Sequence, residues 1–148
     1  MSLSESDIER IVTAVETMEA SLAVLADKQA LSAADYRSDP ETRDVVERRF
    51  VKLTEAALDI AKTLAVDERD ERPKSNPAAM IVLGDADIID ETTTQKMAEA
   101  ARFRNVLAHT YGGAINHEEV YEALGDLERY RDFLIAVRTH LSERGVLE

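Results

Sequence analysis

Apolar residues recur every three or four positions along most of this 148-residue chain, and that spacing constrains its fold more than any other feature. Such spacing forms one apolar stripe on an α-helix that packs against a core. With only 5 Gly and 3 Pro, the chain also lacks the turns that a β-sandwich or barrel needs. We therefore predict an all-α fold in a single domain over residues 1–148, since a chain of this length buries roughly 70% of its unfolded surface around one core. The first stripe comprises Ile8, Ile11, Val12, Val15, Met18, Leu22 and Leu25.

Capping residues, prolines and glycines mark where the apolar spacing starts and stops. They divide the chain into four long helices and one short helix, which predicts an antiparallel helical bundle. The stretch from Leu31 to Asp39 breaks the spacing and is predicted to be non-helical. The predicted helices are a first from Ser4 or Ser6 through Leu25, a second from Asp39-Pro40 to the charged loop DERDERPKSNP, a short third between Asn76-Pro77 and Gly84, a fourth from Asp90 to Thr110, and a last from His117 to Leu141.

The charge balance limits the chemistry that the chain can perform on nucleic acid. With 30 acidic and 18 basic residues, the formal net charge is -12, which repels RNA at long range. Any RNA chemistry would need a local arginine cluster or high salt. The absence of cysteine excludes disulfides and thiolate nucleophiles. No apolar run approaches the roughly 20 residues of a membrane span, and the start MSLSESDIER lacks a signal pattern, so we expect a cytoplasmic protein.

Three polar residues stand close together in the segment ARFRNVLAHTYGG: Arg104, His109 and Tyr111. A guanidinium binds a phosphodiester through two parallel hydrogen bonds, and an imidazole moves protons near neutral pH. On a continuous helix, position 109 lies about 140° around the axis from position 104. We therefore expect the helix to end here or a second chain to complete the site. The alternative is structural: a positive Arg and His offset the dipole at a helix C-terminus.

The remaining polar candidates have ordinary structural explanations. His117 and His140 stand among charged residues on the last helix, where we expect solvated surface positions. No pair of histidines has the spacing of a metal site, so we predict neither a metal nor a cofactor. Intrahelical ion pairs account for the acidic residues of the second helix, in which Arg48 and Lys62 neighbour Glu47, Glu55 and Asp59.

The segment RNVLAHTY, residues 104–111, resembles the R-x(4)-H-x-Y signature of the HEPN superfamily, in particular its HepT-like ribonuclease toxins. Asn105 matches the polar residue that usually follows the arginine of this signature. Two further segments, VVERRFVKLTEAALDIAK and HEEVYEAL, are similar to HepT-like sequences and stand in the same order. The resemblance spans roughly Tyr36 to Leu141.

This resemblance implies a homodimer in which two motifs meet in one cleft and cut RNA without a metal. Arg104 would then hold the phosphate, His109 would act as acid or base, and Asn105 would support both. It also implies a partner, a minimal nucleotidyltransferase antitoxin similar to MntA, which attaches AMP to Tyr111. Two alternatives stay open: a non-catalytic binding subunit of a nucleotidyltransferase, and a purely structural bundle.

Overall fold

A computed structural model describes residues 3–109 and 115–146, apart from the side chains of residues 108 and 109. Within these ranges the chain forms seven α-helices and no strand, which confirms the predicted all-α class. The helices are α1 (Glu5–Lys28), α2 (Ala33–Ser38), α3 (Pro40–Arg69), α4 (Asn76–Asp85), α5 (Glu91–His109), α6 (His117–Leu124) and α7 (Glu128–Glu143).

Local capping explains where the first long helices begin. The Ser4 hydroxyl accepts from the Asp7 amide at 3.0 Å, and the Asp7 carboxylate accepts from the Ser4 amide in a capping box. The Asp39 carboxylate caps α3, which confirms the predicted start of that helix. The cap of α4 is Ser75 rather than the predicted Asn76, which is instead the first helical residue.

Two predicted segments differ from the structure. Helix α2 occupies the stretch expected to be non-helical, because Ser32 caps it and Tyr36 is buried in the core. Six residues are too few for helical periodicity to show in the sequence. The predicted last helix is two helices, α6 and α7, because the chain turns at Gly125 and then buries Leu127. The four long helices are present as α1, α3, α5 and α7, but the described ranges contain three short helices, α2, α4 and α6, rather than the one predicted.

Helix α3 lies at the centre of the bundle and contacts α1, α2, α4, α5 and α6. Phe50 of α3 packs between Phe103 of α5 and Tyr130 of α7, with ring centroids 5.9 Å and 6.5 Å away. The buried hydroxyls of Thr54 and Tyr130 hydrogen-bond at 3.0 Å, so the aromatic core leaves neither group unsatisfied. None of the described helices is long and apolar enough to cross a bilayer.

Gly84 does not end α4 as predicted, since the helix continues to Asp85. Instead it lies against Thr94 of α5, where a Cβ atom on residue 84 would overlap the threonine side chain. The glycine therefore permits close approach of α4 and α5. With the helices packed in this way, Asn76 at the start of α4 reaches Asn105 near the C-terminal end of α5.

Candidate functional site around Arg104

The predicted motif lies at the C-terminal end of α5, which stays helical through His109. Arg104 and Asn105 are described in full, and α6 begins shortly after the motif at His117. The side chain of His109 and the whole of Tyr111 lie outside the described residues. Because α5 is helical through both positions, the backbone of one chain places residues 104 and 109 about 140° apart around the helix.

The Arg104 guanidinium is held between two helices. Its Nη2 atom donates to Oε1 of Glu55 on α3 at 2.5 Å, and the side chain of Arg104 is 21% exposed against 49% for Glu55. The Nε atom of Arg104 is buried and has no hydrogen-bond partner among the described atoms. The guanidinium thus lies at the edge of the protein with one carboxylate on its accessible side.

Asn105 connects this guanidinium to α4. Its Oδ1 atom accepts from Nδ2 of Asn76 at 2.9 Å and from Nη1 of Arg104 at 3.4 Å. The amide therefore orients Arg104 from one side while Glu55 holds it from another. A guanidinium fixed in this way can exchange its carboxylate partner for another oxyanion, such as a phosphate.

The structure corrects the expected intrahelical pairing of the acidic residues on α3. Glu55 bonds across helices to Arg104, and Glu47 lies across helices from His117, with Oε1 and Nδ1 3.3 Å apart. Cross-helix partners replace intrahelical ones because each carboxylate points toward a neighbouring helix. Asp59 has no ion pair in the described part of the chain and lies on the exposed face of α3.

His117 and His140 are not fully solvated as predicted, since both are half-buried. His117 is three residues before the buried Val120 and seven before the buried Leu124, so it shares their apolar face of α6. That spacing was the sequence signal for its burial. Burial and the neighbouring Arg144 lower the pKa of His140.

A model of the family described as Ribonuclease HepT-like matches residues 6–137 of this chain. The chain belongs to the HepT-like ribonuclease family. The tRNA nuclease HepT of Aphanizomenon flos-aquae (strain 2012/KM1/D3) is 27% identical over 112 residues, which are 75% of this chain and 76% of that protein.

Solved structures share the HepT-like fold at low sequence identity. The Bacillus subtilis cytosolic protein of unknown function YutE superimposes with a TM-score of 0.81 and 19% identity, over 100% of this chain and 98% of its own. The tri-AMPylated Shewanella oneidensis HEPN toxin, in complex with its MNT antitoxin, gives a TM-score of 0.77 and 17% identity over 88% and 97%. These likenesses show that the HepT-like helical bundle is the fold of this chain.

In this HepT-like chain the tertiary structure brings Arg104, Asn105, Glu55 and Asn76 together. Sequence reasoning selected the first two and missed the roles of the other two. Glu55 was visible only as one acidic residue among several on α3, and Asn76 only as a helix start. Among the described residues, no three His, Asp or Glu side chains are grouped to hold a metal ion.

Proposed function

We propose that this chain is a metal-independent endoribonuclease and the toxin of a toxin–antitoxin pair. The observation that carries the proposal is the Arg104 guanidinium, oriented by Asn105 and Glu55 within the motif of a HepT-like chain. RNA is the proposed substrate because the relative from Aphanizomenon flos-aquae is a tRNA nuclease.

The proposed reaction needs one cation and one proton carrier. Arg104 binds the scissile phosphate in place of Glu55 and neutralises the charge that develops on the phosphorane. The His109 imidazole takes the proton of the 2′-hydroxyl, whose oxygen then attacks phosphorus. The P–O5′ bond breaks, and the 5′-oxygen receives a proton from an imidazolium. The products are a 2′,3′-cyclic phosphate and a free 5′-hydroxyl.

A homodimer supplies the geometry that one chain lacks. The helical register of α5 separates positions 104 and 109 around the axis, so Arg104 of one copy and His109 of the other can face the same phosphate. Val106, between these positions, is an apolar residue that is 55% exposed. A second copy that covers this side chain would also bring the two motifs together.

The test of the ribonuclease proposal is cleavage of RNA by purified wild-type protein and by Arg104→Ala and His109→Ala variants. We expect each substitution to lower the rate by roughly 10²- to 10⁴-fold while the helical content stays unchanged. EDTA should not affect the wild-type rate. The control is Arg131→Ala, which removes a half-buried arginine on α7 that pairs only with Glu128 in the described part of the chain.

Two outcomes would contradict this mechanism: full cleavage by the His109→Ala variant, or loss of wild-type cleavage in EDTA. If the wild-type dimer cuts no RNA but binds the nucleotidyltransferase antitoxin, the chain is the non-catalytic binding subunit. The Shewanella oneidensis toxin is complexed with its MNT antitoxin, so partner binding is expected of both candidates and RNA cleavage separates them.

We further propose that the cognate nucleotidyltransferase silences the toxin by AMPylation of Tyr111. The phenolic oxygen attacks the α-phosphorus of ATP, pyrophosphate leaves, and the phenolic proton passes to solvent. The attached phosphodiester adds negative charge next to the motif and can occupy the phosphate position beside Arg104. The neighbour from Shewanella oneidensis is itself tri-AMPylated, which supports this modification.

Co-expression with the nucleotidyltransferase tests this proposal. Mass spectrometry should show added AMP on the wild-type chain and none on Tyr111→Phe, which should also resist neutralisation. The control Tyr121→Phe removes a phenol whose hydroxyl donates to the Leu31 carbonyl, and it should be modified as wild type is. Complete silencing of Tyr111→Phe would instead point to inhibition by complex formation.

A further inference from the structure

A groove between α1 and α3 leads away from the Arg104 site. It consists of two adjoining cavities, one of about 470 Å³ near the start of α1 and one of about 630 Å³ along the middle of α3. The two cavities share Arg10 and Asp59 as lining residues. Glu55, the ion-pair partner of Arg104, lines the second cavity, so this α1–α3 groove adjoins the candidate site at Glu55.

The cations of the α1–α3 groove are available to an anionic ligand. Four cations line the groove, and none of them forms an ion pair in the described part of the chain. Most exposed arginines elsewhere pair with a carboxylate. Lys62 and Arg72 are exposed and line the cavity that lies farther along the chain from Glu55. The four cations are Arg10, Lys52, Lys62 and Arg72.

Two of the five carboxylates of the groove are already neutralised. Glu55 pairs with Arg104, and Asp67 pairs with Arg144 from the C-terminal end of the chain. With these two arginines included, the groove has one more positive than negative charge, although the whole chain has a net charge of -12. The groove is therefore less acidic than the chain as a whole, and a polyanion meets less repulsion there than the net charge alone would suggest.

The dimensions of the groove suit a short single strand. The axis of α3 advances about 15 Å from Lys52 to Lys62. The groove therefore has a cation at each end of a stretch that a few nucleotides would span. Thr13 and Thr17 line the second cavity and offer hydroxyl donors to phosphate oxygens.

We propose that the α1–α3 groove binds the RNA strand next to the cleaved phosphodiester, with Lys62 and Arg72 as phosphate contacts far from the reacting atoms. This inference rests on the proposed ribonuclease function. It explains how a strongly acidic protein can bind RNA: the strand enters along a surface whose four cations form no ion pair in the described structure, and it ends at Arg104.

The experiment measures the affinity of a fluorescent single-stranded RNA for full-length protein that carries His109→Ala, across a range of KCl concentrations. Each lost phosphate contact lowers the slope of log affinity against log salt by roughly 0.7 for a single strand. The added substitutions Lys62→Gln and Arg72→Gln should therefore reduce the slope by about 1.4 and weaken binding roughly tenfold near 0.15 M salt.

The matched control carries Lys96→Gln and Arg138→Gln, which also remove one exposed lysine and one exposed arginine, but on α5 and α7 away from the groove. It should keep the slope of its parent. An unchanged slope in the groove variant would overturn the groove proposal. So would unchanged RNA affinity with lost binding to the nucleotidyltransferase, because the groove would then bind a protein.

Failure of the ribonuclease proposal gives a different pattern. In one outcome, wild-type protein binds RNA without cutting it, and the groove substitutions change the slope as expected. That outcome would contradict the ribonuclease proposal and support the groove proposal. Wild-type protein that cuts RNA, with a groove variant indistinguishable from the control, would contradict the groove alone. Wild-type protein with no affinity for RNA would contradict both.

Discussion

At the scale of the residue, the properties of Arg104 depend on side chains that are distant in sequence. Glu55 comes from α3 and Asn76 from α4, yet both reach the two-residue segment of Arg104 and Asn105. An arginine held by a carboxylate on its accessible side is oriented but also occupied. A phosphate must therefore compete with Glu55 for the same guanidinium.

Replacing Glu55 by Gln should strengthen RNA binding. Glutamine keeps an oxygen acceptor for Nη2 of Arg104 and removes the competing charge. A partly exposed ion pair contributes about 0.2–1 kcal/mol, so the dissociation constant should fall roughly twofold to fivefold in a cleavage-inactive His109→Ala background. Fluorescence anisotropy measures this change, with the exposed Glu143→Gln as the control. Weaker binding than the control would mean that Glu55 acts mainly by orienting Arg104.

Glu47 is a second residue whose surroundings alter its chemistry. Its side chain is 15% exposed, and burial raises the pKa of its carboxyl group, although the nearby His117 opposes this shift. The buried hydroxyl of Tyr36 has no hydrogen-bond partner among the described atoms, and burial with the Glu47 charge raises the pKa of that phenol. The folded state therefore favours the neutral form of the Glu47 carboxyl group.

The stability difference between Glu47→Gln and wild type should depend on pH. Because the folded pKa of Glu47 exceeds its unfolded value, its stabilising contribution is fully present below the unfolded pKa and is lost as pH rises through the folded pKa. As the pH rises from about 4, the free energy of unfolding of wild type should fall relative to Glu47→Gln, by less than about 1.4 kcal/mol per pH unit. Urea denaturation at each pH measures this difference in the free energy of unfolding. We expect the difference for the exposed control Glu68→Gln to be constant with pH, and a constant difference for Glu47→Gln would refute the prediction.

At the scale of the element, the packing of α4 on α5 determines whether Asn76 reaches Asn105. Gly84 lies near the end of α4 and allows the two helices to approach closely at Thr94. Helix α4 has only ten residues, so its position depends on packing rather than on its own helical stability. A change at this crossing should therefore affect both the free energy of unfolding and the orientation of Arg104.

Gly84→Ala should destabilise the protein by about 1–3 kcal/mol, since the added methyl group overlaps the side chain of Thr94. The intrinsic helix preference of alanine opposes this cost by no more than about 1 kcal/mol. Chemical denaturation measures the loss. The double variant Gly84→Ala/Thr94→Ala should recover part of the stability, because it removes the side chain that the methyl group meets. If Gly84→Ala is more stable than wild type, the close approach is not a constraint.

At the scale of the whole molecule, the position of the motif on a continuous helix requires a second copy for the proposed reaction. The apolar Val106 is exposed on α5 within the motif, whereas the similarly exposed Ile135 lies on α7. The distribution of charge also acts at this scale. A net charge of -12 keeps copies apart at low salt unless a specific apolar contact brings them together.

We expect a homodimer at micromolar concentration and an interface that includes Val106. Sedimentation velocity should show a dimer for wild type and a shift toward monomer for Val106→Glu, since a buried charge without a partner is costly. Ile135→Glu is the matched control, because Ile135 is 64% exposed and lies away from the motif. A wild-type protein that is only monomeric, or a Val106→Glu variant as dimeric as the control, would contradict this interface.

The sequence by itself determined the helical class, the starts of α1 and α3, and the choice of Arg104 and Asn105. Periodicity and caps act over three or four residues, and a motif is a local pattern, so all of these can be read along the chain. The short α2 and the break between α6 and α7 could not be read along the chain. Each depends on a side chain that is buried in the core, Tyr36 for α2 and Leu127 for the break.

Only the tertiary structure decided the partners of the polar residues. Glu55 was expected to pair along its own helix, but it pairs with Arg104, which is 49 positions later in the chain. His117 was expected in solvent, yet it lies against Glu47. The physical reason is that a long polar side chain reaches several neighbours, and the energies of exposed ion pairs are too small to select among them. The packing of the apolar faces selects the partner, because it sets which helices lie side by side.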